Sequence, residues 1–195
     1  MKAIKERPII FSADSVKQIF AGAKTQTRRV MKPQPELCLH DKAPSMWAKH
    51  CPYGAPGMRL WVREAFWAYR HEDSLHVFDD AITCLLGWQY TPDEFDMLKQ
   101  SKYWSHKSPI YLPRRYSRLT LEITNVRCER LKDISDADLA SEGYKNSERY
   151  ENLEEFKITW DPLNFKRGFG WETNPWVWVL EFKKVESEVL YDKGE

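Results

Sequence analysis

Residues 22–29 read Gly22-Ala23-Lys24-Thr25-Gln26-Thr27-Arg28-Arg29, and the fold turns on what stands on either side of them. Before them, Arg7 to Phe11 has the look of a short strand. Ser12 or Ser15 then offers an N-cap to a helix whose Val16, Ile19 and Phe20 fall on one face at i, i+3 and i+4. Gly22 suits the C′ position that closes such a helix. The Thr-rich segment from Lys24 to Arg29 predicts a strand, with its polar side chains beside the helix end. Few structural needs call for an amine, two hydroxyls and two guanidinium groups so close together. A site that grips a polar, planar or anionic group does.

Downstream the pattern is one of strands with short helices between them. Leu60 to Trp67 alternates as a strand, and Glu64 shares a face with Leu60 and Val62, so a carboxylate points where the apolar side chains point. Leu119 to Val126 gives a clean period of two. Ser135 with Asp138 reads as a capping box, with Leu139 as its apolar contact, on a helix that ends at Glu142-Gly143. A second helix follows Asn152 and turns Leu153, Phe156 and Trp160 inward. Trp176 to Phe182 is almost continuously apolar, as in a strand covered on both faces. The sum is an α+β arrangement.

Two stretches interrupt it. Pro33, Pro35, Pro44, Pro52 and Pro56 mark an insertion over about 31–57. A second covers about 68–112, where Thr91-Pro92 with Glu94 starts a helix. With 195 residues, the chain reads as a single domain, 1–195, with a short tail at about 186–195.

At 42% apolar and 30% charged residues the composition is that of a globular protein, and no run of 18 or more apolar residues occurs. Met1 to Arg7 is charged, with no apolar stretch behind it, so no secretory signal or membrane partner is expected, and the cytoplasm is the expected location. Cys38, Cys51, Cys84 and Cys128 read as free thiols. Cys38-x-His40 and His50-Cys51 set four zinc-competent side chains in one insertion, but the spacing strains tetrahedral closure, and neither a metal nor a cofactor is assigned. The net charge of +1 conceals an uneven distribution. Lys99, Lys102, Lys107, Arg114, Arg115 and Arg118 form a basic run with Tyr103, Trp104, Tyr111 and Tyr116 interleaved, which suits nucleic-acid contact as well as a solvated face. Asp133 to Glu155 is correspondingly acidic. Nine tryptophans suit core packing, and some would suit base stacking.

The pattern Gly22-x-Lys24-Thr25-x-Thr27-x-Arg29 resembles the signature of the ASCH domain family, whose PUA-like fold is a small β-barrel with helices against it. Pro56-Gly57-Met58-Arg59-Leu60-Trp61-Val62 is similar to the family's Gly-Asp-x-Leu strand start, and the resemblance runs through segments 7–30, 56–66, 117–143 and 175–183, about half of the chain. Cys51-Pro52-Tyr53-Gly54 and Asn174-Pro175-Trp176-Val177-Trp178 resemble a longer, prophage-type subgroup. The resemblance implies a PUA-like barrel with short peripheral helices and two long insertions. It also implies an association with RNA. One branch of the family, the N4-acetylcytidine amidohydrolases, uses a Lys, a Thr three residues later and a distant Glu, which fall on Lys24, Thr27 and Glu142. Arg28 beside Arg29, and Met58 after Gly57, depart from the family pattern.

Amide hydrolysis needs a nucleophile, a proton acceptor and a feature that stabilises an oxyanion. Thr27 supplies a hydroxyl or positions a water. Lys24 serves as base if desolvation or the cations Arg28 and Arg29 lower its pKa; if it stays charged it is the oxyanion partner, and Glu142 is the base. Both assignments stay open. Thr25, Arg28, Arg29, Arg63, Glu64, Arg114 and Arg115 are the expected ligand or nucleic-acid contacts, with Arg63 and Glu64 also readable as a barrel-face ion pair. Three functions are thus expected: recognition of a nucleobase, modified nucleoside, RNA or DNA; removal of an acyl group from the exocyclic amine of a modified cytidine; or a prophage accessory role through a protein partner, with the insertions as contact surface.

Overall fold

The computed structural model describes residues 5–35, 50–69, 84–86, 100, 102, 104–145 and 149–185. Strand β1 (Glu6–Ile10) leads into helix α1 (Ala13–Phe20), and β2 (Gln26–Val30) follows. Ser12 is the residue that caps α1, accepting from Ser15 N at 3.3 Å. Gly22, at φ +70°, takes the left-handed turn that ends it. Its amide donates to Ile19 O, and that of Ala23 to Gln18 O.

β3 (Arg59–Arg63) and β4 (Phe66–Tyr69) occupy the predicted Leu60 to Trp67 strand, which is not continuous. The chain leaves one sheet at Glu64 and enters another. The second sheet has the order β5-β4-β6, with β5 at Cys84–Leu86 and β6 at Trp104–Lys107. A side-chain period of two cannot mark such a transfer, because the alternation continues across it. The predicted helix start at Thr91 lies outside the described residues, as do Cys38, His40 and the 186–195 tail.

β7 (Thr120–Arg130) carries a bulge between Ile123 and Asn125 and pairs with β8 (Trp176–Val185) along nearly its whole length. Helices α2 (Asp136–Ser141) and α3 (Arg149–Asn164) connect them. α3 begins before the predicted Asn152. The main sheet runs β1-β3-β7-β8-β2, with β1 and β3 parallel and the other neighbours antiparallel.

β8 shows why its sequence is apolar at every position from Trp176 to Leu180. Trp178, Leu180 and Phe182 face a core shared with Val16 and Ile19 of α1 and with Ile9, Leu60, Val62, Leu121 and Ile123. Val177 and Val179 face a second core, with Leu139 of α2 and Phe156 and Trp160 of α3. Both faces of the sheet are therefore covered, as the run of apolar residues requires.

The barrel implied by the family resemblance is not closed by backbone pairing among the described residues: β1 and β2 are the two edges of the sheet. A side chain spans them instead. Arg29 Nη2 donates to Ile10 O at 2.7 Å, and its guanidinium lies over the Phe11 ring at 5.0 Å. None of the described helices is long and apolar enough to cross a membrane.

Candidate functional site

The period of two splits the opening segment between the two faces of β2. Gln26, Arg28 and Val30 stand opposite Glu181, Val179 and Val177 of β8, on the side of α2 and α3. Thr27 and Arg29 stand opposite Leu180 and Trp178, on the side of α1. Thr25 joins the start of the strand to both neighbours: its amide donates to Ser141 O at 2.8 Å and its carbonyl accepts from Phe182 N at 2.9 Å. Its side chain is exposed.

Lys24 lies just before β2 and reaches across 118 positions of sequence to the last turn of α2. Its Nζ donates to Glu142 Oε2 at 2.5 Å and to Glu142 O at 2.7 Å. The two residues are 6% and 4% exposed, so the pair is desolvated. Burial pushes the Lys24 ammonium below its ordinary value. The Glu142 carboxylate opposes that shift, and the Arg29 and Arg28 charges add to it.

α2 delivers Glu142 by an arrangement that the sequence announces. Ser135 Oγ accepts from Asp138 N at 3.2 Å, while Asp138 Oδ2 accepts from Ser135 N at 3.2 Å, a complete capping box. Asp138 stands one turn before Glu142, on the same face. Gln26 Nε2 donates to its Oδ1 at 2.9 Å and Arg127 Nη2 at 2.5 Å. Burial alone would raise the Asp138 carboxyl, but the hydrogen bonds from Gln26, Ser135 and Arg127 and the charge of Arg28 outweigh it and hold the group well below the usual carboxylate range.

Arg28, 2% exposed, is surrounded by acceptors. Its Nη1 donates to Gln26 Oε1 at 2.8 Å and to Glu142 Oε1 at 3.3 Å. Nε and Nη2 donate to Glu129 Oε1 at 3.2 and 2.5 Å, and Nη2 lies 3.1 Å from Asp138 Oδ2.

Of the three residues expected to act in catalysis, the structure joins Lys24 and Glu142 directly. Thr27, buried on the other face of β2, makes its side-chain hydrogen bond with Arg29 Nη1 at 3.1 Å. Arg29 connects the two faces electrostatically: burial lowers its pKa, while Tyr53 and Glu142 counteract that shift.

The remaining expected contacts disperse. Arg63, at the end of β3, and Glu64, just past it, take different partners. Arg118 takes the buried Glu64 carboxylate in a fork, at 2.8 and 2.6 Å. Arg63 lies over the Trp61 ring at 4.5 Å, and its buried Nε has no hydrogen-bond partner among the described residues. Arg114 pairs with Glu6 at 2.7 and 3.1 Å on the surface. Arg115 lies over Tyr116 at 5.0 Å, close along the chain to the exposed Ile110 and Tyr111. Cys51 and Cys128 are free buried thiols; burial pushes Cys128 up to about 12.

Reading the sequence missed Gln26, Glu129, Asp138 and Arg127 as partners in this network. Two of them left a signal: Gln26 shares the parity of Lys24 and Arg28, and Asp138 is four residues before Glu142. Glu129 left none, because only the pairing of β7 with β8 and of β8 with β2 brings it beside Arg28.

No family model matches the sequence, and no curated protein matches it. Among solved structures, the chain is similar to the ASCH domain from Lactobacillus crispatus JV V101, at 13% sequence identity and a TM-score of 0.46, over 92% of this chain and 79% of that one.

Proposed function

We propose that the Lys24–Glu142 pair is the centre of a site that recognises a nucleobase or modified nucleoside, free or within RNA or DNA. The observation that carries this reading is the buried contact itself, an ammonium donor beside a carboxylate acceptor at 2.5 Å. A base edge offers the complementary pattern, an exocyclic amine that donates beside a ring nitrogen or carbonyl that accepts. Arg29 and Thr27, with Tyr53 bonded to Arg29, supply the adjoining polar wall, and the exposed Thr25 lies at its rim. Arg115, Tyr111 and Arg114 are the surface groups suited to a neighbouring strand. The sequence resemblance to a family associated with RNA agrees with this reading.

Fluorescence anisotropy with labelled RNA, single-stranded DNA and duplex tests it. Binding is expected to weaken as salt rises, and Lys24→Ala and Arg29→Ala are each expected to weaken it at least tenfold. Absent or salt-independent binding across all three probes would refute the reading.

A second reading is hydrolysis of an N4-acylated cytidine, and one observation favours it: Lys24 is held below its ordinary pKa while touching a carboxylate, which suits a proton-transfer pair. Incubation with N4-acetylcytidine is then expected to release acetate and cytidine, with turnover lost in Glu142→Ala and in Thr27→Ala while the circular dichroism stays native. Full turnover in Thr27→Ala would remove Thr27 from the mechanism. No turnover by the wild type would end this reading.

A further inference from the structure

Among the cations of the opening segment, Arg28 is held by the most acceptor side chains among the described residues. A guanidinium has five N–H groups, and Arg28 makes five contacts to four acceptor side chains: Glu129 twice, Gln26, Asp138 and Glu142. The acceptors come from three different elements. Asp138 and Glu142 lie four residues apart on one face of α2, where two carboxylates repel each other across a helical turn. Arg28 touches both. It therefore removes the electrostatic objection to ending this short helix on a buried carboxylate.

The contact also fixes how that carboxylate is turned. Lys24 holds Oε2 of Glu142 and Arg28 holds Oε1, so both oxygens are engaged and the plane of the group is defined. Lys24, Arg28 and Arg127 balance Glu129, Asp138 and Glu142, three cations against three anions, with the more exposed Glu181 as an additional partner of Arg127. Arg28, with five contacts to four acceptor side chains, is poorly placed to turn towards an incoming phosphate. Doing so would leave buried carboxylates without their counter-ion.

We propose that Arg28 is a positioning residue, which holds the Glu142 carboxylate oriented on Lys24 and does not itself meet the ligand. This deepens the proposed recognition site and rests on that reading for its functional meaning. Two measurements on Arg28→Gln separate positioning from contact. The first is the slope of log affinity against log salt for a single-stranded oligonucleotide. Loss of an arginine that touches phosphate flattens it by about 0.7. Arg28→Gln is expected to weaken binding at least tenfold with the slope unchanged, whereas a flattened slope would overturn the proposal. The second needs no ligand: the titration midpoint of Lys24, followed by NMR in protein carrying 13Cε-lysine. It is expected to fall in Arg28→Gln, because a Glu142 carboxylate no longer turned onto Lys24 ceases to hold the ammonium up, and to return in Arg28→Lys.

An unmoved or raised midpoint in Arg28→Gln would equally overturn the proposal, since loss of a nearby cation with Glu142 still in place raises it. If no oligonucleotide binds, the recognition reading fails, but the Lys24 titration still decides the role of Arg28. Should Arg28→Gln not fold, the charge-balanced double variant Arg28→Gln/Glu129→Gln serves in a crystal structure. Glu142 turned away from Lys24 would support positioning, and an undisturbed pair would refute it.

Discussion

At the scale of the residue, the Lys24–Glu142 pair poses a question of cost. Two charges withdrawn from water lose several kcal/mol of hydration each, and their attraction returns that only with good geometry and further hydrogen bonds. Here the geometry is good: Lys24 also donates to the Glu142 carbonyl, and Arg28 covers the second carboxylate oxygen. Breaking one partner should therefore be costly. Lys24→Met is expected to destabilise the protein by about 3 to 5 kcal/mol in urea unfolding, because Glu142 is left buried with one counter-ion fewer. The double variant Lys24→Met/Glu142→Leu is expected to recover most of that loss, since an apolar pair carries no desolvation penalty. A double variant as unstable as the single one would contradict this account. A stable double variant that no longer binds oligonucleotide would show that the pair is kept for its chemistry rather than for stability.

At the scale of the element, α2 is a six-residue helix, too short to stand on its own propensity. It is held at both ends by side chains. The capping box fixes its first turn, and Asp138 there accepts from Gln26 and Arg127 while Glu142 at its end accepts from Lys24. The depressed pKa of Asp138 makes this anchoring dependent on pH. A carboxyl whose folded value lies below its unfolded value adds stability that is complete above the unfolded value and is lost as pH falls through the folded one. Wild-type stability is thus expected to fall progressively below about pH 4, the ordinary aspartate value. Asp138→Asn is expected to be less stable than the wild type at pH 7, with the difference shrinking towards pH 2. Urea midpoints at a series of pH values measure it. A constant gap over that range would mean that Asp138 acts through its shape and not its charge.

At the scale of the whole molecule, one strand serves two cores. β2 sends Gln26 and Arg28 towards α2 and sends Thr27 and Arg29 towards α1, and Arg29 then joins the two edges of the sheet through Ile10 O. The local devices were legible because they depend on neighbours in sequence: the Ser12 cap, the left-handed Gly22, the reciprocal Ser135 and Asp138, the apolar run of β8. The pairing of Lys24 with Glu142, which the family resemblance implied, also agrees with the geometry, since the two residues do meet. Three features were not legible. The strand predicted through Glu64 divides between two sheets, Glu64 is taken by Arg118 and not by Arg63, and Arg28 spends its donors on Gln26, Glu129, Asp138 and Glu142. By itself, then, the sequence determined the α+β class and the caps, because spacing and propensity act over a few positions. Only the tertiary structure decided which cation is bound inside the fold and which carboxylate faces Lys24, because a long-range ion pair depends on strand order and register, and these bring together residues more than a hundred positions apart.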